Sequence, residues 1–111
     1  MADIRITLRD PETGIAKEHT QTFIPVKKAI EYIEKETELE TKYNGHTPQT
    51  NMMNMKIEFV ASLFDDEKID KEYILNGLDT ENIPMITVII RKVLGQEDTE
   101  EKKPQKKQTK K

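Results

Sequence analysis

A chain of 111 residues with 34% hydrophobic and 35% charged side chains has room for one modest core and a very polar exterior. It has no cysteine, which excludes a disulfide scaffold, a thiolate zinc site and a cysteine nucleophile. The net charge of −3 is split unevenly: residues 1–94 carry 12 basic against 17 acidic side chains, a net −5, and residues 95–111 carry 6 against 4, a net +2.

The chain opens on Ile4-Arg5-Ile6-Thr7-Leu8-Arg9, where apolar and polar residues alternate with period two. That pattern predicts a strand with one buried face. Asp10-Pro11-Glu12-Thr13-Gly14 follows and predicts a reversal. A second strand is expected within Ile15–Ile24, ending at Thr22-Phe23-Ile24, to make an antiparallel hairpin. Two strands alone are marginal in water, so helices must pack on one face.

Pro25 suits the first turn of a helix. Val26, Ala29, Ile30 and Ile33 then recur as a helical stripe, with Lys27/Glu31 and Glu31/Lys35 as i,i+4 pairs beside it. This helix is expected to end near Leu39. Thr41–Asn51, with Asn44-Gly45 and Pro48, reads as a loop. A second helix is expected over Met52–Phe64, with Met53, Ile57, Val60, Ala61 and Phe64 on one side. After Asp65-Asp66-Glu67-Lys68, a short helix is expected at Ile69–Leu75, capped by Asp70 and closed at Gly77 in a left-handed cap. The run from Pro84 to Leu94 is the most apolar of the chain. Proline at its start and Gly95 at its end favour a helix, and Ile86–Ile90 would also suit a third strand. From Gly95 onward no apolar residue occurs, and nothing there offsets the entropy of ordering. The expectation is therefore an α+β protein: one small domain over 1–94, with an N-terminal β-hairpin and about four helices, and a disordered charged tail over 95–111.

Little in the chain points to catalysis. His19 and His46, with 26 residues between them, stand in no metal-binding spacing, and both read as exposed polar residues. The acidic run Asp65-Asp66-Glu67 with Asp70 lacks the glycine and the final glutamate of a calcium loop. There is no glycine-rich phosphate loop and no G-x-S-x-G turn. No catalytic residue, metal or cofactor is expected. Lys102, Lys103, Lys106, Lys107, Lys110 and Lys111 have no aromatic residues among them to stack bases, and four acidic residues precede them. They read as a solubilising tail in preference to a nucleic-acid site. No stretch approaches the roughly 20 apolar residues of a membrane span. The first residues lack the basic-then-apolar layout of a signal peptide. The cytoplasm is the expected location.

Two features suggest protein binding. Met52, Met53 and Met55 crowd three adaptable side chains into a short segment, and some of them are expected to face outward. The last helix has more apolar residues than one buried face needs. Met52, Met55, Ile86, Ile89, Ile90 and Val93 are the candidate protein-binding residues on this reading.

The stretch Ile57–Phe64, then Ile69–Leu78, then Ile83–Gly95 resembles the tail assembly chaperones of long-tailed phages and prophages of Gram-positive bacteria. There, a helix ending in an aromatic residue is followed by an acidic turn. A short helix then runs into a glycine–aliphatic step like Gly77-Leu78, and a final apolar helix ends in Leu-Gly before a charged tail. The resemblance covers residues 53–95, and the first half agrees in layout only. It implies a protein of the host cytoplasm, absent from the finished virion, that coats the long tape measure protein, keeps it soluble and recruits the major tail protein. It also implies a longer product made by ribosomal frameshift. The paired lysines of the tail would suit slippery A-rich codons. Self-association is compatible with coating. The alternative of another class is a small adaptor or regulator that binds a single protein or nucleic-acid partner.

Overall fold

The alternation of Ile4, Ile6 and Leu8 with Arg5, Thr7 and Arg9 forms strand β1 (Ile4–Arg9), whose three apolar side chains are fully buried and whose polar ones are exposed. This computed structural model describes residues 4–96. β2 (Ala16–Gln21) pairs antiparallel with β1, from Ile4 opposite Gln21 to Arg9 opposite Ala16. In the turn, Asp10 Oδ1 accepts from the Glu12 and Thr13 amides, and Gly14 takes a positive φ of 74°. β2 is shorter than expected and stops before Thr22. Its last side chain, Gln21, leaves the ladder to donate to the Phe23 carbonyl and to exchange hydrogen bonds with Asp65. The residues of β2 opposite Ile4, Ile6 and Leu8 are Gln21, His19 and Lys17, so β2 contributes almost nothing apolar.

Helix α1 (Val26–Lys42) follows Pro25 and runs three residues past the expected end. Only Tyr32 of this helix is fully buried, its ring tilted against Phe59 with centroids 5.1 Å apart. Burial and the nearby Glu36 carboxylate, which accepts the phenol hydrogen bond, push the Tyr32 phenol up to about 12. Val26, Ile30 and Ile33 of the expected stripe lie in solvent, and Ala29 is half-buried. A stripe of this kind ordinarily faces a core. Here the anchor is Tyr32, which lies about a third of a turn away from the stripe. Glu31 pairs with Lys28, at 3.3 Å.

Helix α2 (Gln49–Ser62) starts three residues earlier than expected, directly after Pro48. Met55, Ile57, Phe59, Val60 and Ala61 are all buried, so this helix is covered on more than one side. It contacts α1, α3 and α4 and forms the centre of the domain. Leu63 and Phe64 continue the core beyond its end. Asp70 then caps α3 (Lys71–Gly77), as the sequence predicts, and its Oδ1 accepts from the Tyr73 amide at 2.9 Å.

The expected left-handed cap at Gly77 does not form, because Gly77 is the last helical residue and its φ is not positive. Its role is proximity. A β-carbon there would stand 2.7 Å from the Arg9 carbonyl oxygen and 3.2 Å from the Arg9 nitrogen, so only glycine lets α3 press on β1 this closely. A 3₁₀ turn at Thr80–Asn82, with its own Asp79 cap, leads into α4 (Pro84–Val93). The ambiguity at Ile86–Ile90 resolves as helix, with Pro84 at its first position and Gly95 at φ 79° just past its end.

The result is α+β, with α3 and α4 against the apolar face of the hairpin and α2 behind them. Among the described residues no helix is long and apolar enough to cross a membrane. The charged tail expected over 95–111, with its lysines, lies beyond Gln96 outside the described residues.

Candidate functional site

The polar side chains gather at the hairpin turn. Asp10 Oδ2 accepts from Lys68 Nζ at 3.2 Å and from the Tyr73 hydroxyl at 3.4 Å. The Glu12 amide, and then Lys68, hold the Asp10 carboxyl below the usual carboxylate range, and the same contact raises Lys68. His19 meets the Tyr73 ring edge-on at 6.0 Å. Contrary to the exposed reading of the sequence, His19 is half-buried, because it sits opposite Ile6 on the inward face of β2. Its Nε2 is buried without a hydrogen-bond partner, and burial, then Lys17, lowers its pKa. This cluster ties the turn to α3. Among the described residues no group of three or more His, Asp or Glu is placed to hold a metal ion.

The apolar surface lies elsewhere. Met53 and Ile57 of α2, Leu75 and Leu78 at the end of α3, Ile83 and Ile86 line a hollow of about 180 Å³. A second hollow adjoins it and shares Met53, Ile57 and Leu75, with Gln49, Thr50 and Asn54 at its lip. Together they form one groove across α2, α3 and the start of α4. Its floor is apolar, and its rim mixes uncharged polar residues with Leu75 and Ile83. No charged residue lines the groove. What it can do is receive apolar side chains, and Met53 gives it an adaptable wall. Leu75 and Ile83 are exposed on its edges.

The six candidates from the sequence fall differently. Met55, Ile86, Ile89 and Ile90 are buried in the core, and Met52 and Val93 are half-buried against it. The excess of apolar residues on α4 is absorbed because β1, α1 and α2 all contact that helix, so it needs a wide apolar face. Ile86 alone of the six lines the groove, from its floor. Met53, Leu75 and Ile83 line the groove and are not among the six candidates. The sequence pattern puts Met53 on the core side of α2. Leu75 sits in a helix too short to show a periodic stripe and Ile83 is the residue before α4, so their only signal is an apolar residue outside a stripe.

A family model described as phage tail chaperone protein matches residues 1–111. No curated protein and no solved structure matches the chain.

Proposed function

The chain belongs to the phage tail chaperone protein family, and on that premise we propose that it is a tail assembly chaperone that binds and solubilises the tape measure protein and recruits major tail protein. It acts in the host cytoplasm, as a binding protein without catalysis, and it leaves before the virion is complete. The long-tailed phages and prophages of Gram-positive bacteria are its expected setting, and a longer frameshifted product is expected from the same gene.

The observation that carries this reading is the uncharged apolar groove of Met53, Ile57, Leu75 and Ile83. A tape measure protein is a long helical protein that exposes apolar side chains until the tube closes around it. An apolar groove with a methionine wall receives such side chains from one face of a helix, and it tolerates variation among them along a long client. A groove of this size takes few side chains at once. Each copy therefore binds modestly, and an advancing tail tube can displace it.

The test is co-expression with the tape measure protein of the same locus. The native chain is expected to keep that protein in the soluble fraction and to be captured with it. The double variant Leu75→Glu, Ile83→Glu changes two exposed groove edges and is expected to fold but to lose capture. Capture unaffected by the double variant would remove the groove from the reading. An insoluble client in the presence of the native chain would remove the chaperone role for that client. Sequencing the gene across the codons for Lys102–Lys111 tests the frameshift, which requires a slippery heptamer and an overlapping frame.

A further inference from the structure

The groove leaves the largest exposed apolar feature without a role. Phe23 is 69% exposed, Val26 77%, Ile30 53% and Ile33 53%. Val26, Ile30 and Ile33 follow the four-and-three spacing of a heptad seam on α1, and Phe23 lies three residues ahead of the helix in non-helical chain. The face of α1 that packs at home carries Tyr32, with Leu39 partly buried, so the seam is separate from it. None of the groove residues belongs to α1.

The charges beside the seam specify an occupant. Lys27 follows Val26 and Glu34 follows Ile33, so both hold the same place beside the seam, one heptad apart, and both are exposed. On the other flank the equivalent places hold Ala29 and Glu36. The helix is also polarised along its length. Lys27 and Lys28 lie near its start, and Glu34, Glu36, Glu38 and Glu40 fill its second half.

We infer that the seam is covered by α1 of a second copy of this chain, running antiparallel about a two-fold axis near Ile30. Across such an axis like flanks meet, so Lys27 faces Glu34 of the second copy, twice by symmetry. Ile30 meets Ile30, and Val26 meets Ile33. A parallel pair would instead set Ala29 beside Glu34 and place the two acidic halves side by side, which gains no ion pair and adds repulsion. The exposed parts of the three seam residues amount to roughly 350 Å² per copy, so pairing covers on the order of 700 Å² before the flanking charges are counted. That is the size of a weak, transient contact, so a dimer with a Kd on the order of 100 µM or above is expected, formed and released readily. The inference does not depend on the groove reading, because it uses a different face.

The test is the native mass of the full chain over a range of concentrations, with no client present. A monomer–dimer equilibrium is expected. Ile30→Asp is expected to raise the Kd more than about 100-fold, with unchanged circular dichroism and thermal midpoint, since Ile30 leaves no hole in the core. Lys27→Glu and Glu34→Lys are each expected to raise the Kd about tenfold, and the two together are expected to restore it. A chain that stays monomeric well above the stated Kd overturns the inference. So does a dimer indifferent to Ile30→Asp, or an oligomer larger than two that Ile30→Asp dissolves. Failure of the double reversal to restore pairing overturns the antiparallel arrangement. Loss of client capture by Ile30→Asp in a chain that is always monomeric would assign the seam to the client, and would leave the chaperone reading standing without the dimer. Loss of capture by the groove variant alone, with dimerisation intact, separates the two faces.

Discussion

Helices α1 and α4 look alike in composition along their apolar positions, yet the fold uses them in opposite ways. α4 has ten residues and buries Ile86, Ile89 and Ile90, each of which contributes on the order of 1.5–3 kcal/mol by leaving water. α1 has seventeen residues, is held through Tyr32 against Phe59, and leaves Val26, Ile30 and Ile33 in solvent. The difference lies in the neighbours. α4 contacts β1, α1 and α2, whereas the main contacts of α1 are with α2 and α4. An apolar stripe marks a face that needs covering; whether this chain covers it depends on how many elements pass beside it. The same stripe that stabilises the fold in α4 is available for association in α1.

Truncation should separate the two helices most sharply. Ile89→Ala is expected to cost about 2–5 kcal/mol in chemical denaturation, because it opens a cavity at a fully buried position. Ile33→Ala in α1 is expected to stay within about 0.5 kcal/mol when measured on the monomer at high dilution. Equal losses at the two positions would refute the contrast. The contact that sets α3 on β1 gives the next largest effect. Alanine normally improves a helix, but Gly77→Ala places its β-carbon 2.7 Å from the Arg9 carbonyl oxygen, and a loss of about 1–3 kcal/mol is expected. A gain in thermal midpoint would mean that the strand and helix move apart at little cost.

Capping gives a smaller effect. α3 has seven residues, too few to persist without its neighbours, and it depends on Asp70; α1 begins at Pro25 with no side-chain cap. Asp70→Ala is expected to cost about 1 kcal/mol, and Asp70→Asn much less, in the same unfolding assay. The smallest effect is a pH dependence at the inward face of β2. Burial lowers His19 from its ordinary 6.5, so the unfolded chain binds its proton first. The contribution of His19 is therefore present above pH 6.5 and is lost as pH falls from there through the lower folded value. Asp10, also lowered in the folded state, acts in the same direction at more acidic pH, being complete above its ordinary 3.8. His19→Gln is expected to flatten the stability profile just below pH 6.5 and to leave the more acidic limb in place.

Most of the local structure was legible because its causes are local. The alternation of Ile4, Ile6 and Leu8 marks a one-sided strand at any position in a fold. Asp70 and Pro84 mark helix starts because they act on amides within their own first turn. The family was legible as a resemblance over residues 53–95, with Gly77 and Gly95 in it, and the family model matches the chain. The candidate site was barely legible. Of the six residues the sequence favoured, only Ile86 lines the groove, because apolar excess in a sequence does not say which side chains the fold will cover.

The sequence by itself determined the class of fold, about four helices and the starts of α1, α3 and α4, since hydrophobic period, proline and caps act within a few residues. Tertiary structure alone decided three things. It made Gly77 a point of contact with Arg9 instead of a helix cap, it placed Leu75 and Ile83 on the rim of one groove, and it left the stripe of α1 outside. Each of these depends on which distant segments lie side by side, and burial, unlike periodicity, is a property of those neighbours.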